Sequence, residues 1–305
     1  GIMVSERFLQ EAMRAIHAVG GIALVHSEDG EFIDGLEQQA MAAGCRRPED
    51  YAPTRPPEAE AVAIETVALA SQLTGCPAYI VHVSSQAGLA AVQNARARGV
   101  RLWAETCPQY ILLNDDALRR HGPLARIAPP LRQLSDQRAL ATALATGVIN
   151  TVGSDHASYS WAAKNEGRDD IFAAPFGMPG APIHWPSMFT WAVDNGVALP
   201  VLVRTMAQAP ARMFGLHPRK GTLLPGADAD IVLLDARTRR CVDVATVWPK
   251  VCPNPLADVP LAGWPRITIC RGAIVWRDGG LLAEPGRGEL IEQTPRSLAP
   301  ALGGD

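Results

Sequence analysis

Three residues of the sequence combine a side chain that can bind a metal ion with a position after an apolar run. His26 and His82 each lie at the end of such a run, and Asp155 lies in a Gly-Ser-Asp-His segment that follows another. Imidazole nitrogen and carboxylate oxygen are ligands that Zn²⁺ or Mn²⁺ accepts. The three are too far apart in the chain to form a local metal-binding loop, so they fit ligands drawn from different strands. The alternative is structural: a strand-end histidine can hydrogen-bond within the core, and Asp155 could cap a helix.

The hydrophobic pattern predicts four strand–helix units that would position these residues. Helical runs that begin near Ser5, Pro56, Ser85 and Ser135 alternate with short apolar runs typical of buried strands. Parallel neighbours need a long return path, so the alternation indicates a parallel sheet with crossover helices. In a (β/α)₈ barrel the carboxyl ends of the strands meet at one mouth, where active sites lie, but a barrel needs eight strands. The predicted strands are 22–25, 78–83, 101–106 and 148–152.

The C-terminal third has a different pattern. Short β-like segments separated by turn residues span 221–226, 229–234 and 266–275. We therefore predict a barrel portion over residues 1–220, a small β domain over 221–285 and a C-terminal tail over 286–305.

Composition and charge narrow the function classes. The chain has 305 residues, 48% of them apolar, and a formal net charge of −3, so it offers no basic field for nucleic acid or an anionic membrane. Six cysteines occur without a CxxC pair, as in a reducing compartment, and no run is apolar and long enough to span a membrane. These features predict a soluble cytoplasmic protein. Only three lysines occur, at 164, 220 and 250.

Further polar residues lie near the predicted strand ends. The cluster Glu105–Tyr110 either supports metal ligands from behind or is structural, and His156 either orients Asp155, contacts a substrate or is merely polar. The remaining histidines have no partner at useful spacing, and we interpret them as structural: His17, His121, His184 and His217.

An ordered set of segments resembles the cyclic amidohydrolases, most closely their dihydropyrimidinase/hydantoinase branch. Two further stretches, 209–221 and 225–230, resemble the junction of that family into its β domain. The resemblance covers nearly the whole chain up to about Gly288. The segments that carry it are Leu24–Asp29, Arg55–Glu60, Ile80–Ser85, Ala104–Tyr110, Ala128–Arg132 and Gly153–His156.

The resemblance implies a TIM-barrel hydrolase with a small β-sandwich-like domain. Two divalent metals, usually zinc with Mn²⁺ as the alternative, would share a hydroxide. That hydroxide would open the ring of a cyclic amide or ureide, such as a dihydropyrimidine or a 5-substituted hydantoin, and the product would be an N-carbamoyl acid. His26 and His82 would bind one metal, while Asp155 would bind the other and shuttle the proton. Ala128 and Phe176 match positions that contact substrate through the backbone. The family also implies a homotetramer.

Three departures from the family pattern shape the expectation for this chain. The family carries a His-x-His pair on its first barrel strand, but here no two histidines are separated by one residue. The family also carries a carboxylated lysine on its fourth strand. Here no lysine precedes Asp155, and Lys164 follows it in a predicted loop. A substrate-contacting tyrosine expected after that lysine is also missing. We therefore expect the C-terminal half of the barrel, strands five to eight, in a truncated and inactive chain that exposes strand edges and is poorly soluble alone. The alternatives are a noncatalytic assembly protein of the same superfamily, or one half of a split enzyme.

Overall fold

A parallel sheet carries the predicted strand ends. The computed structural model describes residues 3–247 and 250–292, and its first sheet has four parallel strands in chain order. Val25 pairs with Ile80, and Ile80 pairs with Ala104, so the carboxyl ends of neighbouring strands align. The strands are β1 (Ala23–Val25), β2 (Ala78–Ile80), β3 (Leu102–Thr106) and β4 (Thr151–Val152). The predicted α/β architecture is confirmed.

Most strands are shorter than the apolar runs that predicted them. The run 78–83 leaves the ladder after Ile80, because the backbone turns into a left-handed conformation at His82. In the fourth unit, Asn150 precedes β4 and bonds to β3 on both sides: its backbone N–H donates to the carbonyl of Ala104 (2.9 Å), and its side-chain oxygen accepts from the backbone N–H of Ala104 (2.9 Å). The strands are therefore short, and the candidate residues His26, His82 and Asp155 lie in the loops that follow them.

Helices return the chain between the parallel strands, and capping side chains define several of their ends. Ser5 accepts a hydrogen bond from the backbone N–H of Phe8, as predicted for the first helix, and Gly75 ends the third in a left-handed conformation. The α-helices are α1 (Glu6–Ala18), α2 (Gly30–Ala42), α3 (Pro57–Thr74), α4 (Gln86–Ala97), α5 (Pro108–Leu112), α6 (Asp116–His121), α7 (Leu134–Thr146), α8 (Trp161–Asn165), α9 (His184–Asp194), α10 (Leu199–Val203), α11 (Ala209–Met213) and α12 (Val244–Val247).

Short irregular helices complete this part of the chain. A π-helical stretch, Arg204–Gln208, joins α10 to α11. The 3₁₀ helices are Pro48–Asp50, Ala52–Thr54, Gly122–Ala125, Ile171–Ala173 and Ala181–Ile183.

Two helix predictions need correction. Ser135 does not cap α7, which begins at Leu134 with Gln133 as its N-cap. Lys164 does not lie in a loop: Ser160 caps the short helix α8, and Lys164 is buried within it. Neither feature follows from hydrophobic periodicity, because each depends on where the neighbouring loop packs.

The C-terminal sheet is antiparallel and follows the chain order β5-β6-β7-β8. The predicted segment 266–275 is two strands rather than one, because Arg271 and Gly272 take left-handed conformations and turn the chain. The predicted segment 221–226 forms no strand. The strands are β5 (Ile231–Asp235), β6 (Trp264–Cys270), β7 (Ala273–Arg277) and β8 (Gly280–Leu281).

A hydrophobic core fills the space between the parallel sheet and its helices. It includes fully buried Ile64, Val83 and Leu140, and it extends to Leu256 and Leu261, which precede β6. The backbone N–H of Ala262 donates to the hydroxyl of Thr190 on α9 (2.8 Å). The predicted tail lies largely outside the described residues, which end at 292. No described helix is long and apolar enough to cross a membrane.

Candidate active site

His26 and His82 lie in contact at the carboxyl ends of β1 and β2. The ring atom Nδ1 of His26 lies 2.9 Å from Nε2 of His82, and the rings meet edge to face with centroids 4.7 Å apart. The aligned register of the strands explains this contact, because His26 directly follows β1 and His82 lies two residues beyond β2. Sequence reasoning therefore brought together two residues that are distant in the chain.

Two of the predicted site residues have unusual backbone conformations. His82 has φ +43° and Asp155 has φ +46°, in the left-handed region that L-residues rarely adopt. The other described non-glycine residues with positive φ, Arg271 and Asp278, lie beside turns of the antiparallel sheet. Backbone strain of this kind persists where the surrounding structure enforces it, and it clusters at functional sites.

Burial keeps the His82 imidazole neutral. Burial, reinforced by the neighbouring His26, lowers the pKa of His82 to about 3. Nδ1 of His82 is buried and has no hydrogen-bond partner among the described residues. Histidine binds a metal ion as the neutral imidazole, through a ring nitrogen that carries no proton.

Asp155 lies in an environment that favours its protonated form. Burial and the nearby carboxylate of Glu105 together raise the pKa of Asp155 to about 6, against an opposing effect of His26. No helix begins at Asp155, since Ser160 caps the next one, so the helix-capping alternative is wrong. A carboxyl group that titrates near neutral pH can both accept and donate a proton.

Glu105 supports the site from behind. One of its oxygens accepts from the hydroxyl of Tyr79 (2.6 Å), and the other accepts from the backbone N–H of His82 (3.4 Å). Burial raises the pKa of Glu105. Gly153 leaves room for this carboxylate, because a Cβ at that position would lie within 2.7 Å of three of its atoms. The supporting interpretation of the Glu105 cluster is thus the one that the geometry favours.

Sequence reasoning missed Glu28 as a functional candidate. Its Oε2 lies 3.1 Å from Nε2 of His26 and 2.5 Å from Nη1 of Arg55. Burial raises the pKa of Glu28, but the hydrogen bond from His26 and the charge of Arg55 outweigh it, so the pKa lies below its usual value. The only available signal was the spacing of Glu28 two residues after a strand-end histidine.

A second buried carboxylate fixes the loop after His82. Glu60 accepts from the backbone N–H (2.8 Å) and hydroxyl (2.9 Å) of Ser84 and from the hydroxyl of Ser85. Ser85 in turn caps α4 by accepting from the N–H of Gly88 (2.9 Å). Arg132 also donates to the Ser84 hydroxyl (3.1 Å). These contacts hold the loop in the shape that directs His82 towards His26.

The remaining candidates lie away from the histidine pair or have local roles. Nδ1 of His156 accepts from the backbone N–H of Ala181 (3.1 Å), so this side chain ties two loops together. Phe176 packs under the guanidinium of Arg126, whose Cζ lies 4.2 Å from the ring centroid. Ala128 is half-buried and shows no side-chain chemistry.

The described residues do not assemble a complete metal-binding cluster. Over 3–247 and 250–292, no group of three or more His, Cys, Asp or Glu side chains is placed to hold a metal ion. The pair of imidazoles nevertheless fits a divalent ion, because two ring nitrogens converge and one of the rings is buried and neutral.

A family model described as the amidohydrolase family matches residues 5–275. The chain belongs to the amidohydrolase family. It is 34% identical to the D-hydantoinase of Geobacillus stearothermophilus over 290 residues, which are 93% of this chain and 62% of that protein. It is 33% identical to the L-hydantoinase of Paenarthrobacter aurescens, over 94% of this chain and 63% of the relative. The resemblance found in the sequence is confirmed.

Solved structures of the same family share the fold. A crystal structure of D-hydantoinase superposes with a TM-score of 0.91 at 32% identity, covering 96% of this chain and 65% of that one. The dihydropyrimidinase from Brevibacillus agri NCHU1002 gives a TM-score of 0.88 at 34% identity, covering 92% of this chain and 62% of that one. The chain thus spans less than two thirds of the length of these amidohydrolases.

Proposed function

We propose that the protein contributes the catalytic mouth of an enzyme that hydrolyses cyclic amides, with dihydropyrimidines or 5-substituted hydantoins as substrates and N-carbamoyl amino acids as products. The observation that carries the proposal is the 2.9 Å approach of the His26 and His82 ring nitrogens. It is supported by the Asp155 carboxyl group, whose pKa is raised to about 6 and which interacts electrostatically with His26. The names of the similar hydantoinases and the dihydropyrimidinase support the substrate class.

A divalent metal fits the donor set in this proposal. His26 and His82 would hold one ion and Asp155 a second, with Zn²⁺ as the expected metal and Mn²⁺ as the alternative. When bound, such ions polarise a carbonyl group and make water nucleophilic at neutral pH. Since only two imidazoles converge in the described part of the chain, we propose that residues outside it complete the set.

The protein's own residues perform the proton transfers. Asp155, with a pKa near 6, accepts a proton from the attacking water and returns it to the ring nitrogen as the C–N bond breaks. Glu105 favours the protonated state of Asp155 by its negative charge. The backbone at Ala128 and Phe176 is the proposed contact surface for the ring. These assignments rest on the family motifs and on the position of the loops near the sheet's carboxyl edge.

The domain organisation and the activity of the isolated chain are part of the same proposal. We propose a barrel portion over 1–220, which supplies the last four strands of an eight-stranded barrel, a small β domain over 221–285 and a tail over 286–305. The open order of the four parallel strands supports this view, since β1 and β4 each lack one neighbour among the described strands. The 305-residue chain alone is then expected to be inactive.

Localisation and assembly complete the proposal. All six cysteines are free, which supports a reducing compartment such as the cytoplasm. A homotetramer follows from the family resemblance alone, and light scattering of the active protein tests it.

Hydrolysis assays with dihydrouracil and hydantoin test the function. The 305-residue chain and the product of the longest reading frame that contains it are each loaded with Zn²⁺ and assayed. We expect turnover only from the longer product, and H26A, H82A and D155N should each reduce it by at least about 100-fold. His17→Ala is the matched control, because His17 is exposed on α1.

Several outcomes would contradict the proposal. Activity of the 305-residue chain alone would refute the proposal that this chain is inactive. A reading frame that begins at Gly1 would refute the proposal that residues encoded upstream complete the ligand set. Activity that arises only on mixing with a separate polypeptide supports the split-enzyme alternative. Absence of hydrolysis in every arm, with metal bound, supports the noncatalytic assembly protein.

A further inference from the structure

Glu28 connects the His26 imidazole to a buried arginine. A single oxygen of Glu28, Oε2, lies 3.1 Å from Nε2 of His26 and 2.5 Å from Nη1 of Arg55. The Glu28 side chain is only 3% exposed and that of Arg55 only 12%, while the His26 side chain is 47% exposed. The imidazole therefore has one edge in solvent and one nitrogen fixed by a buried acceptor.

This contact determines which ring nitrogen of His26 carries the proton. An ionised carboxylate only accepts hydrogen bonds, so Nε2 of His26 must be the protonated nitrogen. Nδ1 then keeps its lone pair, and it is Nδ1 that faces His82 at 2.9 Å. If Glu28 were absent, the exposed ring could rotate or take the other tautomer without losing a buried partner.

Arg55 holds Glu28 in place and links it to the loop of His82. Besides Glu28, the Arg55 guanidinium contacts Glu37, with Nε 3.3 Å from its Oε1. The backbone carbonyl of Arg55 accepts from Arg132, which also donates to the hydroxyl of Ser84 (3.1 Å). The same set of buried polar groups therefore contacts the loops of both histidines.

We propose that Glu28, held by Arg55, is a positioning residue that fixes the ring orientation and tautomer of His26, so that Nδ1 is the nitrogen directed into the site. The use of Nδ1 as a ligand atom rests on the proposed function, but the orientation itself does not. Glu28 acts through His26 and does not contact the proposed substrate.

Histidine side-chain NMR on the full 305-residue chain, without metal or substrate, tests the proposal. The imidazole proton on Nε2 of His26 should be observable, because a buried carboxylate protects it from exchange with water. E28A and E28L remove the acceptor and should abolish this signal. E28Q should retain it, because the amide oxygen can accept from both His26 and Arg55, and this rescue separates hydrogen bonding from charge.

Glu37 provides the matched control, since it pairs with Arg55 but does not contact His26. E37Q should retain the His26 signal even where it lowers the melting temperature. The proposal is overturned if folded E28A or E28L keeps the signal, if folded E28Q loses it, or if E37Q loses it. A fall in melting temperature with an unchanged signal in E28A would mean that Glu28 is structural only. Because no hydrolysis is measured, these outcomes are independent of whether the proposed function holds.

Discussion

Lys164 gives the sharpest prediction, because a cationic side chain is buried with only neutral partners. The residue is 1% exposed, and its Nζ donates to the backbone carbonyls of Arg126 (3.0 Å) and Pro175 (2.9 Å). Burial lowers the pKa of Lys164 from 10.5 to about 8, and the positive charge of Arg126 adds to this effect. Folding is therefore opposed by the charge that this lysine carries at neutral pH.

The pKa difference sets the size of the effect. At ~1.4 kcal/mol for each tenfold change in the proton-binding constant, the lower pKa corresponds to about 3 kcal/mol of lost stability below about pH 8. The unfolded chain binds more protons than the folded one between the two pKa values, so the free energy of unfolding rises with pH in that range. Between about pH 8 and pH 10 the recovery is about 2 kcal/mol.

Chemical denaturation of the wild type and K164M at these two pH values measures the recovery. K164M leaves two carbonyls without their donor at every pH, so its stability is lowered by a constant amount. The part of the stability difference from the wild type that changes with pH therefore measures the titration of Lys164. Lys250→Met is the control, since Lys250 is exposed, and it should follow the wild type. A wild-type stability that falls relative to K164M between pH 8 and pH 10, or stays parallel to it, would refute the reasoning.

Three further predictions concern the site and its support. Because the pKa of Asp155 is raised to about 6, the stability of the wild type relative to D155N is greatest below about pH 4 and is lost as the pH rises through about 6; urea unfolding across this range checks the sign. Gly153→Ala places a Cβ against the Glu105 carboxyl and should cost about 1–3 kcal/mol in denaturant unfolding, whereas Gly35→Ala, which meets no atom within 4 Å, should not destabilise α2. Tyr51→Phe removes the buried hydrogen bond from the Tyr51 hydroxyl to the backbone carbonyl of Ile127 (2.7 Å), and it should lower the free energy of unfolding by about 1–2 kcal/mol. An unchanged denaturation midpoint would contradict the importance of that bond.

The strand-end positions could be predicted because they depend on periodicity. Apolar runs of strand length, each followed by a polar residue, are visible in the sequence, and parallel pairing then aligns the ends. That logic placed His26 beside His82 before any distance was known. It could not give the strand lengths, because the left-handed turn at His82 depends on Glu60 and Glu105, which reach its loop from elsewhere in the fold.

The parts of the site that escaped prediction are tertiary. Glu28 and Arg55 are paired across 27 residues of sequence. Nothing in the local pattern of either residue indicates that one Glu28 oxygen contacts both Arg55 and His26. Helix α2 was also missed, because only Ile33 among its residues is buried and its apolar stripe is short. Buried ion pairs and lightly packed helices are specified by their surroundings, so propensity and period carry little information about them.

The geometry of an open parallel sheet explains why only two imidazoles converge at the described strand ends. His26 and His82 follow neighbouring strands, so their imidazoles approach from the same side of the mouth. A closed coordination shell needs ligands from several directions, and in a barrel these come from strands on the opposite side. The four described parallel strands form an open row, with β1 and β4 at its edges. Under the proposed function, the remaining ligands would therefore come from strands that pair with those edges.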